Sequence, residues 1–542
     1  MALLIPRRRL LQGALAMGAA AVSAACRQPG PRWPSLDPRA RGFPPGWDYP
    51  TAPGTSPPFC HGVASGDPLA DRVVVWTRLT LPEQPSPRVR VHWRMARDPG
   101  LRHVVARGTV ATDASRDWTV KVDVTGLDPG TTYYYGFAAR GRSSPIGRTK
   151  TAPALAEGIG MAVVSCASYW SGWWNAYDRI AERDDIDVVL HCGDHVYDTV
   201  DPAEWLRARN DRFDPEYVDF RPWRNLDEAR RRYALHYADP ALLALHLAHP
   251  LTVAWDNHDL DGDADDPLVA RQAFWEWTPC RPPGPVTALD GNLVPADVSR
   301  DHRDMRYGDV DLYVLDLRTR RDDVTILGAE QRAWFEQGLL DSAGRGAPWR
   351  VVVNPIPLAA IGLGGSLYGG WTDLPGDQQS LLRYLADNGI EDCVFVAGDA
   401  HGAFVADLPV GPGAYDPATG AGSAAVEILG NSVSRGGADE TIAESAYRGL
   451  YGTSPDGDRE RYEALLPQAR ETARSIEGAL LAANPALKYA QWRDHGYGVV
   501  RLTADEATLE QWHVPILERS RDEWLGARFT VARGTNHARP AV

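Results

Sequence analysis

The chain has 542 residues, with 57 basic against 71 acidic side chains, for a net charge of −14 with histidine neutral. At 44% hydrophobic and 24% charged residues it is neither a disordered nor a collagen-like chain. The acidic balance argues against a nucleic-acid coat or a polybasic membrane-surface protein. Past the N-terminus no run of 18 apolar, uncharged residues occurs, so no internal segment is expected to span a membrane.

In chain order, Arg7-Arg8-Arg9-Leu10-Leu11-Gln12 precede small and apolar residues up to Ala25. A basic start, an apolar stretch too short to span and small residues before a cut describe a signal peptide. The arginine pair resembles a twin-arginine export signal, which implies passage through the twin-arginine export machinery and a periplasmic, secreted or cell-surface location. Cys26 follows Ser23-Ala24-Ala25 and is a candidate for a lipid anchor. The five later cysteines, Cys60, Cys166, Cys192, Cys280 and Cys393, are too few and too odd in number for a disulfide scaffold. Residues 27–58 are rich in Pro, Gly and Arg and read as a linker.

Residues 59–152 read as all-β. Val89, Val91, Trp93 and Met95 alternate with Arg88, Arg90, His92 and Arg94, a period of two with one polar face. Leu127-Asp128-Pro129-Gly130-Thr131-Thr132-Tyr133 resembles the tyrosine corner of a fibronectin-like sandwich. After Thr151-Ala152-Pro153 the pattern changes to short apolar strands alternating with longer amphipathic segments. Strands are expected at 161–165, 186–191, 251–255, 311–315, 350–353, 393–397 and 425–429, and helices near 174–183, 228–247, 329–340 and 377–387. This is an α/β domain with buried sheets. Residues 432–485 read as a long loop followed by helix, a candidate flap.

The chemistry is expected where those strands end. They run into Cys166, into Gly193-Asp194 with Tyr197, into Asp256-Asn257-His258, into Asp316 with Arg318, into Asn354, and into Gly398-Asp399-Ala400-His401. Open α/β sheets gather ligands outside the carboxyl ends of their strands. One Asp there reads as a turn residue or a cap; six such ends together point to a polynuclear metal centre. A thiolate with a phenolate favours a Lewis-acidic transition metal, while Asp and Asn oxygens suit a harder second cation. Two metals about 3.5–4 Å apart clamp the attacking and leaving oxygens of an in-line phosphoryl displacement.

The order of motifs carries a resemblance. Gly-Val-Ala-Ser-Gly-Asp-Pro (62–68) and Val-Val-Trp-Thr-Arg (74–78) come first. Ser-Cys-Ala (165–167), Gly-Asp-His-Val-Tyr (193–197), Trp-Asp-Asn-His-Asp (255–259) and Leu-Asp-Leu-Arg (315–318) follow. Gly-Asp-Ala-His (398–401), Asn-Ser-Val-Ser-Arg-Gly-Gly (431–437) and His-Gly-Tyr (495–497) complete the series. The chain so resembles the D-type (PhoD-like) alkaline phosphatases, a branch of the calcineurin-like metallophosphoesterases, over roughly 59–510. The resemblance implies an α/β fold, an αββα metallophosphatase sandwich preceded by a small fibronectin/Ig-like β-sandwich. It implies ferric iron with calcium as cofactors. Cys166, Asp194, Tyr197 and His401 would hold the iron, with Asp194 bridging; Asn257 and Asp399 would serve calcium, and Asn354 joins them as a further candidate. His258 would face the phosphate and stabilise the transition state or protonate the leaving group, with Asp259 to orient it. By residue type, Arg318 and Arg435 are candidates to clamp phosphate oxygens, or else to form surface salt bridges. Three positions depart from the family: Asn257 and Asp259 stand where Asp and Glu are common, and Asn354 stands where Gln is expected.

Neighbouring residues have plainer readings. Cys192 and His191 are expected to be buried strand residues, and Trp170, Trp173 and Trp174 either packing or substrate-stacking groups. Asp259–Asp266 is not an EF-hand loop, because Leu268 stands at the twelfth position where a Glu is needed. The expected division is a signal peptide over 1–26, a linker over 27–58, the fibronectin-like sandwich over 59–152, the metallophosphatase domain over 158–515 and a C-terminal tail over 516–542. The expected activity is that of an exported phosphoesterase acting on a phosphate ester substrate by in-line attack of a metal-bound hydroxide or oxide, with diesters favoured and phosphate scavenging as its use. No specific nucleic-acid binding is expected. The alternatives are a nuclease- or phospholipase-type diesterase, and a surface binding protein with a vestigial metal site.

Overall fold

The computed structural model describes residues 55–81, 88–199, 221–284, 286–289, 291–362, 368–411, 413–453, 455 and 458–541. The expected signal peptide, Cys26 and most of the linker lie outside the described residues.

Strand parity builds the layers. In Ile159–Val164 the side chains of Met161 and Val163 enter one apolar cluster, and those of Ala162 and Val164 enter another. In Cys393–Ala397, Val394 and Val396 share the first cluster while Phe395 and Ala397 turn to a third. A strand buried on both faces needs an unbroken apolar run, which is why these segments carry no polar alternation. The shared cluster lies between two sheets. Outside one sheet pack the helices Asn175–Ala181, Leu226–Tyr237, Pro240–Ala248 and Leu268–Trp277; outside the other pack Gly328–Gly344, Pro375–Asp387 and Leu466–Ala483. The architecture is the expected αββα sandwich.

The parallel core of the first sheet is Ile159–Val164, Val188–Cys192 and Leu251–Ala254. That of the second is Val310–Val314, Arg350–Val353, Cys393–Ala397 and Ser423–Leu429. Parallel pairing sends every one of these carboxyl ends to one edge. An isolated bridge from Ser165 to Ser432 joins the two sheets there.

The N-terminal strands form the expected two-layer β-sandwich around their own core. Its tyrosine corner is present: the Tyr133 hydroxyl accepts from the Asp128 amide at 2.9 Å. The sandwich is not strung on as a separate bead. Its strands Val63–Gly66, Arg72–Arg78 and Thr119–Thr125 continue the first sheet, because Gly66 pairs in parallel with Leu251. A Cβ at Gly66 would lie 2.5 Å from the Leu251 carbonyl oxygen, so only glycine allows this seam. The Gly-Asp-Pro motif also closes it: Asp67 accepts from the Arg281 amide at 2.6 Å and from Arg303 Nε at 3.2 Å.

Three elements differ from the sequence reading. The helix expected over 228–247 is two helices, because Asp239 caps the second by accepting from the amides of Ala241 and Leu242 and Pro240 opens it. The region 432–485 is mostly helical, with Ala438–Tyr451, Arg459–Glu463 and Leu466–Ala483. The segment expected as a tail supplies Trp524–Ala532 and Arg539–Pro540, the last two strands of the first sheet.

Candidate metal centre

The strand ends meet in strained backbone. Cys166, Asp194, Asp399 and His401 have φ of 56°, 54°, 61° and 52°, all in the left-handed region that non-glycine residues avoid. Each costs of order 1 kcal/mol or more and persists only where the surroundings enforce it. Here the loops enforce one another. The Cys166 amide donates to the Gly193 carbonyl at 3.2 Å, the Ala167 amide to the Asp194 carbonyl at 3.1 Å, and the Arg435 amide to the Cys166 carbonyl at 3.2 Å. Gly193 itself has φ of 94°, and a Cβ there would lie 2.4 Å from the Asp256 Cβ, so glycine permits the approach of two strand ends.

Three donors converge at this point. The Cys166 Sγ, a carboxylate oxygen of Asp194 and a ring nitrogen of His401 lie within 4.8 Å of one another. Tyr197 joins them, its hydroxyl donating to Asp194 Oδ2 at 3.0 Å, and Asp194 Oδ1 accepts the His258 amide at 3.0 Å. Burial and then the Asp194 charge push the Cys166 thiol well up. Burial likewise raises Asp194, against the pull of His258. Burial, followed by Arg435 and His258, drives His401 well down, so its ring is neutral with a lone pair to give. A buried thiol, carboxyl and neutral imidazole side by side are costly as charges on their own and become a coherent donor set around a cation. The residues fit a Lewis-acidic transition metal.

A second group of oxygens adjoins the first. Arg318 grips both carboxylate oxygens of the fully buried Asp256, through Nε and, at 2.9 Å, through Nη2. The same Nη2 reaches Asn257 Oδ1 and Asp399 Oδ1, each at 3.2 Å. Tyr368 donates its hydroxyl to Asp399 Oδ2. The structure thus brings Asn257 and Asp399 together on one arginine. Arg318 Nε and Nη2 go to carboxylate and amide oxygens. Asn354 is corrected. Its Oδ1 accepts from Trp371 Nε1 at 3.0 Å and its Nδ2 donates to the Ile356 carbonyl at 2.6 Å, so the amide holds its own loop and does not point its oxygen to Asn257 and Asp399. Asp316, another strand end, proves a turn cap that accepts the amides of Arg318 and Thr319.

His258 sits over this centre with its ring stacked on Tyr197 at 4.1 Å between centroids. Its side chain is 20% exposed. Burial opposes its positive charge, but Asp194 and Asp198 outweigh burial and raise its pKa to about 10. The residue that orients it is Asp198, whose Oδ1 lies 2.7 Å from His258 Nδ1. This corrects the expectation for Asp259. Asp259 is the third residue of the short helix Asn257–Leu260, and its carboxylate folds back to accept the amides of Asp256 at 3.0 Å and Val196 at 2.9 Å. Burial, then Asp194, pushes Asp259 up to about 8. It shapes the loop and does not reach the imidazole.

Asp198 and Tyr368 were missed in the sequence. Asp198 directly follows the Gly-Asp-His-Val-Tyr motif, four residues after Asp194, a signal that was available. Tyr368 carried no signal, because only folding brings it to Asp399. The plainer readings hold: Cys192 is in the core between the sheets, His191 Nε2 meets the Tyr177 hydroxyl at 2.9 Å, and Trp170, Trp173 and Trp174 are buried packing groups. The five described cysteines are all free thiols.

Residues 161–511 match the family model described as PhoD-like phosphatase, and residues 46–153 match that of its N-terminal domain. Alkaline phosphatase D of Bacillus subtilis (strain 168) is 30% identical over 429 residues, spanning 71% of this chain and 70% of that protein. A solved structure of PhoD superposes with a TM-score of 0.72 at 25% identity, covering 91% of this chain and 94% of the other. Fold and relatives define a hydrolase that acts on phosphate ester bonds. The chain belongs to the PhoD-like phosphatase family.

Proposed function

We propose that this chain is an exported, metal-dependent phosphoesterase that favours phosphodiesters and serves phosphate scavenging. The observation that carries it is the convergence of Cys166, Asp194 and His401 beneath a solvent-reachable His258. Cys166, Asp194, Tyr197 and His401 would hold the first metal, for which the family resemblance implies ferric iron. Asn257 and Asp399 would serve calcium, with Asp194 between the two. Bound there, the cations supply positive charge against the phosphoryl oxygens.

The chain's own groups do the remaining work. Asp198 fixes the His258 ring through Nδ1, which leaves Nε2 to give its proton to the leaving oxygen as the ester bond breaks. Tyr197 stacks under the ring and sets its plane. Arg318 keeps Asp256, Asn257 and Asp399 in one arrangement, so the oxygens are ordered before substrate arrives. With its Arg318 donors turned to carboxylates, the site has few positive groups for a phosphomonoester dianion, which supports the preference for diesters. Export rests on the Arg7-Arg8 signal, and lipid attachment at Cys26 would fix the product of export to a membrane.

The test is hydrolysis of bis-p-nitrophenyl phosphate and p-nitrophenyl phosphate by natively exported protein, beside Asp194→Ala, with and without calcium. Metal-dependent diester hydrolysis lost in Asp194→Ala supports the proposal. A monoester rate well above the diester rate rejects the diester preference, and an inactive, metal-loaded wild type rejects the catalytic reading of the site.

A further inference from the structure

A cavity of about 320 Å³ lies on the seam between the β-sandwich and the catalytic layers, away from the metal donors. Its walls include Arg116 and Lys121 from the sandwich, Gln272, Trp275 and Glu276 from the helix Leu268–Trp277, and Asn292 from the strand Asn292–Pro295. Lys121 is one of three lysines in the chain and is 3% exposed. Its ammonium gives one hydrogen to the Trp275 carbonyl at 2.6 Å and lies 5.7 Å from the Trp275 ring. An ammonium has three hydrogens to place.

The polar inventory of this cavity is lopsided. The side-chain acceptors of Glu276 and Asn292 are already used. The two Glu276 oxygens take Arg230 Nε and Nη2, each at 2.7 Å, and one of them also takes Gln272 Nε2 at 2.9 Å. Asn292 Oδ1 accepts the Lys121 amide at 2.8 Å, and its Nδ2 donates to the Thr119 carbonyl at 3.1 Å. Two donors are unused. Arg116 Nε and Trp275 Nε1 are buried and have no hydrogen-bond partner among the described residues. Buried donors left unpaired are costly, and the nearby Glu276 carboxylate is already held by Arg230. Burial accordingly lowers Lys121 to about 8. One kind of ligand removes all these costs together, a small anion rich in oxygen acceptors.

We propose that this cavity is a second ligand site that takes a small tetrahedral oxyanion of the phosphate class, held by Lys121 Nζ, Arg116 Nε and Trp275 Nε1. Three donors from separate elements suit an anion with three or more oxygens better than a planar carboxylate with two. The site is independent of the catalytic reading, since none of its residues touches the metal donors.

Calorimetric titration with inorganic phosphate tests it on the exported protein. The expected result is one binding event that persists in Asp194→Asn, weakens at least tenfold in Lys121→Met and weakens about fivefold in Arg116→Gln. Arg116 is partly exposed, so its variant keeps the test open should Lys121→Met fail to fold. Diester hydrolysis by Arg116→Gln should match wild type. Phosphate binding unchanged in both variants overturns the proposal, as does a site that binds acetate as tightly as phosphate or a wild type whose phosphate binding vanishes in Asp194→Asn.

Discussion

Asp198 Oδ1 lies 2.7 Å from His258 Nδ1, and this pair fixes the ring above the donor cluster. A carboxylate in that position selects one tautomer and one orientation of the imidazole. Asp198→Ala should lower kcat about 10- to 100-fold with little change in KM. Asp259→Asn should act differently. It replaces an acceptor of two amides with a group that accepts only one, so its effect should be a stability loss of about 1–3 kcal/mol. Steady-state kinetics and chemical unfolding of the two variants, side by side, distinguish an orienting carboxylate from a loop brace. Equal kcat loss without any stability loss in Asp259→Asn would contradict the assignment.

Cys166 and Asp194 should govern metal content. Cys166→Ser and Asp194→Ala should each leave less than half the bound transition metal of wild type, read by mass spectrometry of the purified protein. Chelation should lower the wild-type unfolding temperature and leave that of Asp194→Ala nearly unchanged, because a ligand bound only to the native state stabilises it by mass action. Full metal content in both variants would move the metal away from this cluster.

Arg318, 24% exposed, is paired with Asp256, which is wholly inaccessible. Removing the cation alone strands a carboxylate in the interior, so Arg318→Ala should destabilise the chain by about 3–5 kcal/mol. Arg318→Ala combined with Asp256→Asn should recover a good part of that loss. A double variant no more stable than Arg318→Ala would show that Arg318 acts through Asn257 and Asp399 instead.

The fold should weaken in acid through buried histidines. His249 donates through Nε2 to the Ile180 carbonyl at 3.0 Å, and burial, then Arg148, lowers its pKa to about 4. The unfolded chain takes up this proton near pH 6.5, the native chain only near pH 4. Between those values the unfolded state binds more protons, so stability falls as pH drops, by about 3 kcal/mol for this group, and levels off below pH 4. His249→Gln, which keeps a donor for Ile180, should flatten the acid slope by about one proton in urea unfolding at pH 7.5 and 4.5. An unchanged slope would remove His249 from the account.

The sequence by itself determined the chemistry to expect and where along the chain it lies. Apolar runs such as Val188–Cys192 mark strands buried on both faces, and each run ends in a residue type that binds metals, so the donor types could be read residue by residue. The tyrosine corner and the period-two strands gave the β-sandwich for the same local reason. Only the tertiary structure decided which carboxylate serves which partner. Asp198 and Asp259 are both acidic residues beside the same motifs, and their roles differ because a short helix turns one carboxylate back on its own amides and leaves the other beside the imidazole. Arg318, Tyr368 and Asn354 meet their partners across 17 to 81 residues of chain, and no local pattern records such meetings. The union of the sandwich with the first sheet through Gly66 and Leu251, and the cavity that this union leaves beside Lys121, likewise arise from packing between distant segments, which hydrophobic period and residue spacing do not encode.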